Sequence, residues 1–321
     1  MESNFKFIID KMRTLHICAI FLIVITFNSC EDSTITGNHD LIIVNGFLSA
    51  SDTFRVNISY STGVHSFEND SFINNAKVFL VYPDNSNHEL IPDLTDYLSH
   101  LIIQNGYYRL GGLISGRQSG DYELRVEITD QKHLLAKDSI PSPVPIKSIL
   151  FKKDTINKLD LFQIGFIDPS NSGNYYSVSL NTYYYINRED GLYKQQYYNL
   201  EVQSSTTYIE TTLTNSMLNQ LVFSDLTFNS GSEEVLLNFN SYNFSYPQFW
   251  DSVVCEVQLN SLSKSYYNYI TSYFKQNQSE KDFYAEPVGV YSNIEGGYGI
   301  FAGYSTSKKR IKYSRGDISY Y

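Results

Sequence analysis

The sequence predicts a mostly β protein made of two antiparallel β-sandwich-like domains, the second carrying one amphipathic helix packed on its sheet. Three observations lead there. Aromatic residues make up 15% of the 321, with 28 Tyr and 20 Phe against one Trp, and Tyr, Phe, Val, Ile and Thr favour pleated, half-buried strands. Stretches alternating between apolar and polar residues recur along the chain, separated by turn signals. Long helical runs of Ala, Leu, Glu and Lys are missing. A hydrophobic share of 42% supports a sizeable core over most of the length.

The elements run as follows. Residues 1–29 read as an export signal. Lys11 and Arg13 precede an apolar run from Leu15 to Phe27, too short to span a bilayer as a helix but of ordinary length for a signal core. Met12 begins a signal of ordinary proportions by itself. Residues 30–40, opening Cys30-Glu31-Asp32, read as a polar tether. From Leu41 strands follow one another. "LIIVNGFLS" is followed by "TFRVNISYS", where Phe54, Val56, Ile58 and Tyr60 share a face. "AKVFLVYP" ends at the turn signal Asp84-Asn85, and "GYYRLGGL" and "GDYELRVEIT" come next. This region, 41–140, has the size of an immunoglobulin-like sandwich. Pro141, Pro143 and Pro145 then suppress helix and sheet alike, which makes 141–146 a semi-rigid linker.

The second domain, 147–321, contains "DLFQIGFID", "YYSVSLNTYYYINRED", "LYKQQYYNLEVQ", "EEVLLNFNSYNF" and "SVVCEVQLNS". Its helix is expected over 261–276, because Leu262, Tyr266, Tyr269, Ile270, Tyr273 and Phe274 form one apolar stripe. A shorter helix is expected within 214–223.

Composition excludes several functions. The formal net charge of −10 leaves no basic footprint for nucleic acid. Of three cysteines, Cys18 lies in the signal and Cys30 at its end, so Cys255 has no partner and reads as a small buried hydrophobe. No pair of the six His has the i, i+4 spacing of a helical zinc site, and none follows His133. "DPSNSG" sets Asp168, Ser170, Ser172 and Gly173 at calcium-loop spacing, but Ser179 stands where the bidentate Glu is needed, so a turn is the better reading. There is no G-x-S-x-G elbow, and a Ser-His-Asp triad within the second domain lacks its His. Tyr183–Tyr185 and Tyr197–Tyr198 offer a sugar-stacking platform, although alternation turns half of each group inward. No enzyme, metal or cofactor is predicted.

The stretch "AEPVGVYSNIEGGYGIFAGYS", residues 285–305, carries Gly296, Gly297, Gly299 and Gly303. A phosphate loop needs a helix after its glycines, whereas here the helix comes before. Gly296-Gly297 suits a hairpin turn closing the second domain, and Gly299 and Gly303 imply close approach of another element, with the Tyr-rich helix as the candidate.

Two resemblances add to this. Phe27-Asn28-Ser29-Cys30 resembles the bacterial lipoprotein box, with Phe27 in place of the usual Leu. It implies cleavage before Cys30 and lipid attachment to its thiol, and the acidic pair behind it resembles the surface-export signal of Bacteroidota lipoproteins. "EPVGVYSNIEGGYGIFAGYS", together with "LIIVNGFLS", "GDYELRV", "DPSNSGNYYSVSL" and "VVCEVQLNSLSKSYYNYITSY", resembles a Bacteroidota lipoprotein family catalogued as a domain of unknown function, often encoded beside TonB-dependent receptors. That resemblance implies an outer-membrane protein held by its lipid anchor, acting as a non-catalytic binding or accessory subunit for a nutrient transporter. A structural or adhesive envelope lipoprotein is the alternative, and a cryptic hydrolase a weaker one.

Overall fold

The computed structural model describes residues 41–49, 51–61, 72–93, 105–111, 120–129, 132–152, 159–170, 173–188, 191–197, 202–204, 211–215, 218–227, 234–242, 251–279, 286, 288–314 and 317–320. All of them belong to one compact unit.

The first half supplies β1 (Ile42–Ser49), β2 (Arg55–Tyr60), β3 (Lys77–Val81), β4 (Asn87–Pro92), β5 (Tyr107–Leu110), β6 (Gly120–Thr129) and β7 (Lys132–Ile140). The second supplies β8 (Ile146–Lys152), β9 (Leu159–Ile167), β10 (Tyr175–Arg188), β11 (Gly191–Tyr197), β12 (Val202–Ser204), β13 (Thr211–Asn215), β14 (Leu218–Ser224), β15 (Glu234–Tyr242), β16 (Ser252–Leu262), β17 (Tyr298–Ser314) and β18 (Asp317–Tyr320). One α-helix, α1 (Lys264–Ser279), lies among the described residues. Fourteen strands form one sheet in the order β13-β14-β10-β16-β17-β1-β2-β5-β4-β3-β6-β7, with β11 added to β10 and β18 to β17. A second sheet runs β12-β15-β9-β8. The mostly β expectation with one helix on a sheet therefore holds.

Alternation decides which face each strand buries. In β16, Val253, Cys255, Val257 and Leu259 enter one core with Phe162, Ile164 and Phe166 of β9 and Tyr176, Val178 and Leu180 of β10. This core fills the space between the two sheets, as in a sandwich. A second core gathers Val44, Phe54, Val56, Ile58, Val78, Leu80, Tyr108, Leu124 and Val126 from the first half, and it also takes Ile294 and Phe301 from the end of the chain. The Tyr108 hydroxyl donates to the Ile73 carbonyl at 2.9 Å and accepts from the Ala76 N–H at 2.9 Å, so this buried ring satisfies its polar end.

The long strand β17 serves both halves. Residues 298–304 pair with β1 and residues 304–313 with β16. The β1–β17 pairing is parallel. A parallel pair needs a long connection between its strands, and here nearly the whole described chain provides it. The segment between Pro141 and Pro145 is held rather than loose: Val144 is buried and its N–H donates to the Ser261 hydroxyl at 3.3 Å.

Two helix expectations are corrected. The described residues of 214–223 form no helix. Thr211–Asn215 and Leu218–Ser224 pair as a hairpin, and Leu218–Ser224 also pairs with β10 through 175–179. The long helix starts at Lys264 rather than at 261, because Ser261 and Leu262 still pair with Ser305 and Tyr304 of β17. Ser263 is the cap; its hydroxyl accepts the Tyr266 N–H at 3.1 Å.

The closing glycines do not make a hairpin within the second half. Residues 293–295 run beside β7, where Glu295 and Leu135 exchange backbone hydrogen bonds of 2.8 and 3.2 Å. The chain turns at Gly296 and continues beside β1. Asn293 ties the two arms together: its amide accepts from the Phe301 N–H at 2.9 Å and donates to the Phe301 carbonyl at 2.7 Å. Gly299 (φ 109°) faces the Val44 backbone and Gly303 the Ser139 backbone. The close approach is therefore to β1 and β7, not to α1.

Candidate functional site

The same alternation that fills the sandwich core leaves polar residues on the outer face of β14, β10, β16 and β17. Cross-strand register aligns them in rows. One row is Gln220, Ser179, Gln258 and Lys308. The next is Val222, Ser177, Asn260 and Thr306. Beyond the first row, on the far side from Asn260, stands Glu256 beside Arg310.

α1 crosses one end of this face. Ile270 is buried with Val222 and Leu262, and Tyr266, Tyr267, Tyr269 and Phe274 pack around them. Tyr266 meets Phe47 of β1 at a ring separation of 4.9 Å and Tyr304 of β17 at 5.7 Å, edge on. Tyr267 stacks on Tyr175 at 4.6 Å. Burial pushes the Tyr266 phenol up, and the neighbouring Tyr304 and Tyr269 add to this.

At the foot of the helix lies a basin of about 310 Å³. Its floor is Gln220, Ser179, Gln258 and Lys308 of the first row with Asn260 and Thr306 of the second; its walls are Tyr266, Tyr304 and the β1–β2 turn at Ser51 and Asp52. The second row is internally satisfied. Asn260 donates to the Ser177 hydroxyl at 3.0 Å and accepts from Thr306 at 2.7 Å. Gln258 donates to Glu256 at 2.7 Å. Glu256 is buried, 1% exposed, and is paired with Lys308 at 3.3 Å and Arg310 at 2.7 Å. Burial alone would raise its carboxyl, but Gln258, Arg310 and Lys308 outweigh that and hold it below the ordinary value of 4.5. Gln220 differs: it is 9% exposed and its Nε2 has no hydrogen-bond partner.

A polar knot joins β7 to α1 and β17. Asp138 accepts the Ser263 hydroxyl at 2.5 Å and the Gly303 N–H at 2.8 Å on one oxygen, and the Ser265 hydroxyl at 3.3 Å on the other. Burial raises its carboxyl above 3.8 despite these donors. Through these bonds it fastens β7 to the helix start and to β17.

The residues singled out in the sequence fall as follows. Cys30, Tyr198 and Ser172 lie outside the described residues. Asp168 is buried and accepts the Tyr176 hydroxyl at 2.5 Å and Asn174 Nδ2 at 3.3 Å. Asp225, also buried, accepts the N–H groups of Gly173 and Asn174 at 3.1 and 2.9 Å. Both carboxylates thus fasten the turn around 168–174, and the burial of Asp168 pushes its carboxyl up. Ser170 is exposed. Cys255 is fully buried in the sandwich core, where burial raises its thiol well above the ordinary value. Tyr184 packs on the core while Tyr183 and Tyr185 take the opposite face, which divides the group. Among the described residues no group of three or more His, Cys, Asp or Glu could hold a metal ion, and no helix is long and apolar enough to cross a membrane. The basin itself was missed. Its signal was the polar half of each alternating strand, which acquires meaning only once four strands are aligned.

No curated protein matches the chain. Among solved structures, a mutant Salmonella alpha-2-macroglobulin aligns at 11% identity over 84% of this chain and 15% of its own, with a TM-score of 0.24. The chain thus spans about 15% of the length of that protein. Bovine butyrophilin aligns at 9% identity over 67% of this chain and 91% of its own, with a TM-score of 0.19. A manganese lipoxygenase structure from Gaeumannomyces graminis, which includes part of a Komagataella pastoris zonadhesin, aligns at 11% identity over 69% of this chain and 88% of its own, with a TM-score of 0.19. These scores are too low to carry any argument. The family comparison is different in kind: residues 29–310 match the family described as "Domain of unknown function (DUF4249)", and the chain belongs to that family.

Proposed function

We propose that the protein is a lipid-anchored outer-membrane lipoprotein that acts as a non-catalytic binding or accessory subunit of a TonB-dependent nutrient transporter. The observation that carries the binding part is the basin with the buried, unpartnered Gln220 amide. Buried polar groups are nearly always partnered, so an unpartnered amide on a residue that lines a cavity supports a binding role there. The anchor rests on Cys30 directly behind the apolar run and Ser29. Each buried acyl CH₂ contributes about 0.8 kcal/mol, so two or more chains hold a folded body on a bilayer without a spanning helix. The transporter rests on the resemblance of the closing stretch.

Gene deletion separates this reading from a structural envelope role. The expected result is poorer growth on a subset of nutrients with envelope integrity unchanged, and the same defect from Cys30→Ser. A leaky envelope with growth intact on every nutrient tested would reverse the conclusion.

A further inference from the structure

We propose that the basin beneath α1 binds a neutral, polyhydroxylated small molecule, a saccharide unit of about hexose size; the inference rests on the binding role proposed above.

Gln220 lines the basin, and its Nε2 is a buried donor without a protein acceptor. Ser179 and Gln258 stand beside it in the same row, so a hydroxyl and two amides line one side of the floor. Hydroxyls and amides both donate and accept, which matches a ligand whose own hydroxyls do the same. Asn260 and Thr306 are already bonded to each other and to Ser177, and so they fix the floor's shape.

The charge pattern disfavours an ion. Glu256 is matched by Lys308 and Arg310, and Asp52 stands on the opposite wall, so the two acids and two bases on or beside the basin balance. Tyr266 and Tyr304 add a small aromatic wall to a lining that is otherwise polar, which suits a ligand rich in hydroxyls. At about 310 Å³ and partly open to solvent, the basin has room for one sugar ring.

The test uses the full lipidated chain in a detergent without a sugar headgroup. Glucose, galactose, mannose, N-acetylglucosamine and myo-inositol are titrated by saturation-transfer NMR, with glucuronate and glucosamine as charged counterparts. At least one neutral probe should give a saturable signal that Gln220→Leu weakens about tenfold or more. Lys137→Ala, in a separate surface hollow, should leave it unchanged. If Gln220→Leu does not fold, Gln258→Leu takes its place. Absence of saturable binding by every neutral probe, binding indifferent to both Leu variants, or tighter binding of a charged counterpart would each overturn the inference. Saccharide binding without a co-purifying transporter would sink only the transport role; a co-purifying transporter without saccharide binding would sink only this inference.

Discussion

Replacing Gly299 with Ala probes the strand that joins the two halves. Gly299 has φ 109°, outside the range open to L side chains. A Cβ there would sit 2.9 Å from the Val44 carbonyl carbon, 3.0 Å from its nitrogen and closer still to its oxygen. All three atoms are backbone, held by pairing of Val44 with Ile58 on the far side, so they cannot swing away as a side chain would. The strained φ costs about 1–3 kcal/mol, and forcing the strands apart about 1–3 kcal/mol more. Loss of glycine's freedom in the unfolded chain returns about 0.4–1 kcal/mol. The expected net loss is about 1–5.5 kcal/mol, a large part of an ordinary 5–15 kcal/mol stability. Urea unfolding followed by circular dichroism measures it. Gly289→Ala is the comparison, since a Cβ there meets nothing within 4 Å, and it should change stability by roughly 0.5 kcal/mol or less. A Gly299→Ala protein within about 1 kcal/mol of the parent would refute the claim that β17 is locked parallel to β1.

Three further outcomes are expected. Glu256→Gln should cost about 1–2 kcal/mol at neutral pH, a modest value because Lys308 and Arg310 are half exposed. The wild-type carboxyl is held below 4.5, so its contribution is full above that value and is lost as pH falls through the folded pKa; chemical denaturation across acid pH should show the two proteins converging. Asp138 has the opposite sign. Its carboxyl is raised above 3.8, so relative to Asp138→Asn the wild type should gain stability as pH falls through the folded value and level off below 3.8. Tyr108→Phe removes one donor and one acceptor in a buried site and should cost about 1–3 kcal/mol, read by the same unfolding assay.

Local pattern carried most of the fold and little of the site. The alternation of Val253, Cys255, Val257 and Leu259 marked β16 and its buried face because each residue's fate is set within two positions. The aromatic stripe marked α1 for the same reason. Its start was misplaced because Leu262 belongs to the stripe by spacing and to β16 by pairing with Tyr304. "TNSMLNQLVF" read as helical, yet its second half is fixed by pairing with β10, a tertiary preference that outweighs the weak local one. The parallel docking of β17 on β1 links residues about 255 positions apart in the register Val44 to Gly299, and no local rule announces it. Gln220 was equally silent: polar residues on one face of a strand normally meet solvent, and here Tyr266, Tyr304 and the β1–β2 turn wall in the basin that it lines.

Affinity purification of the full chain, tagged at its C-terminus, from detergent-solubilised outer membranes tests the proposed role most directly. Cys30→Ser serves as the anchorless comparison. The expected result is a TonB-dependent transporter that co-elutes with the lipidated chain and falls away with Cys30→Ser. Recovery of the lipidated chain alone, across cells grown on several different nutrients, would contradict it.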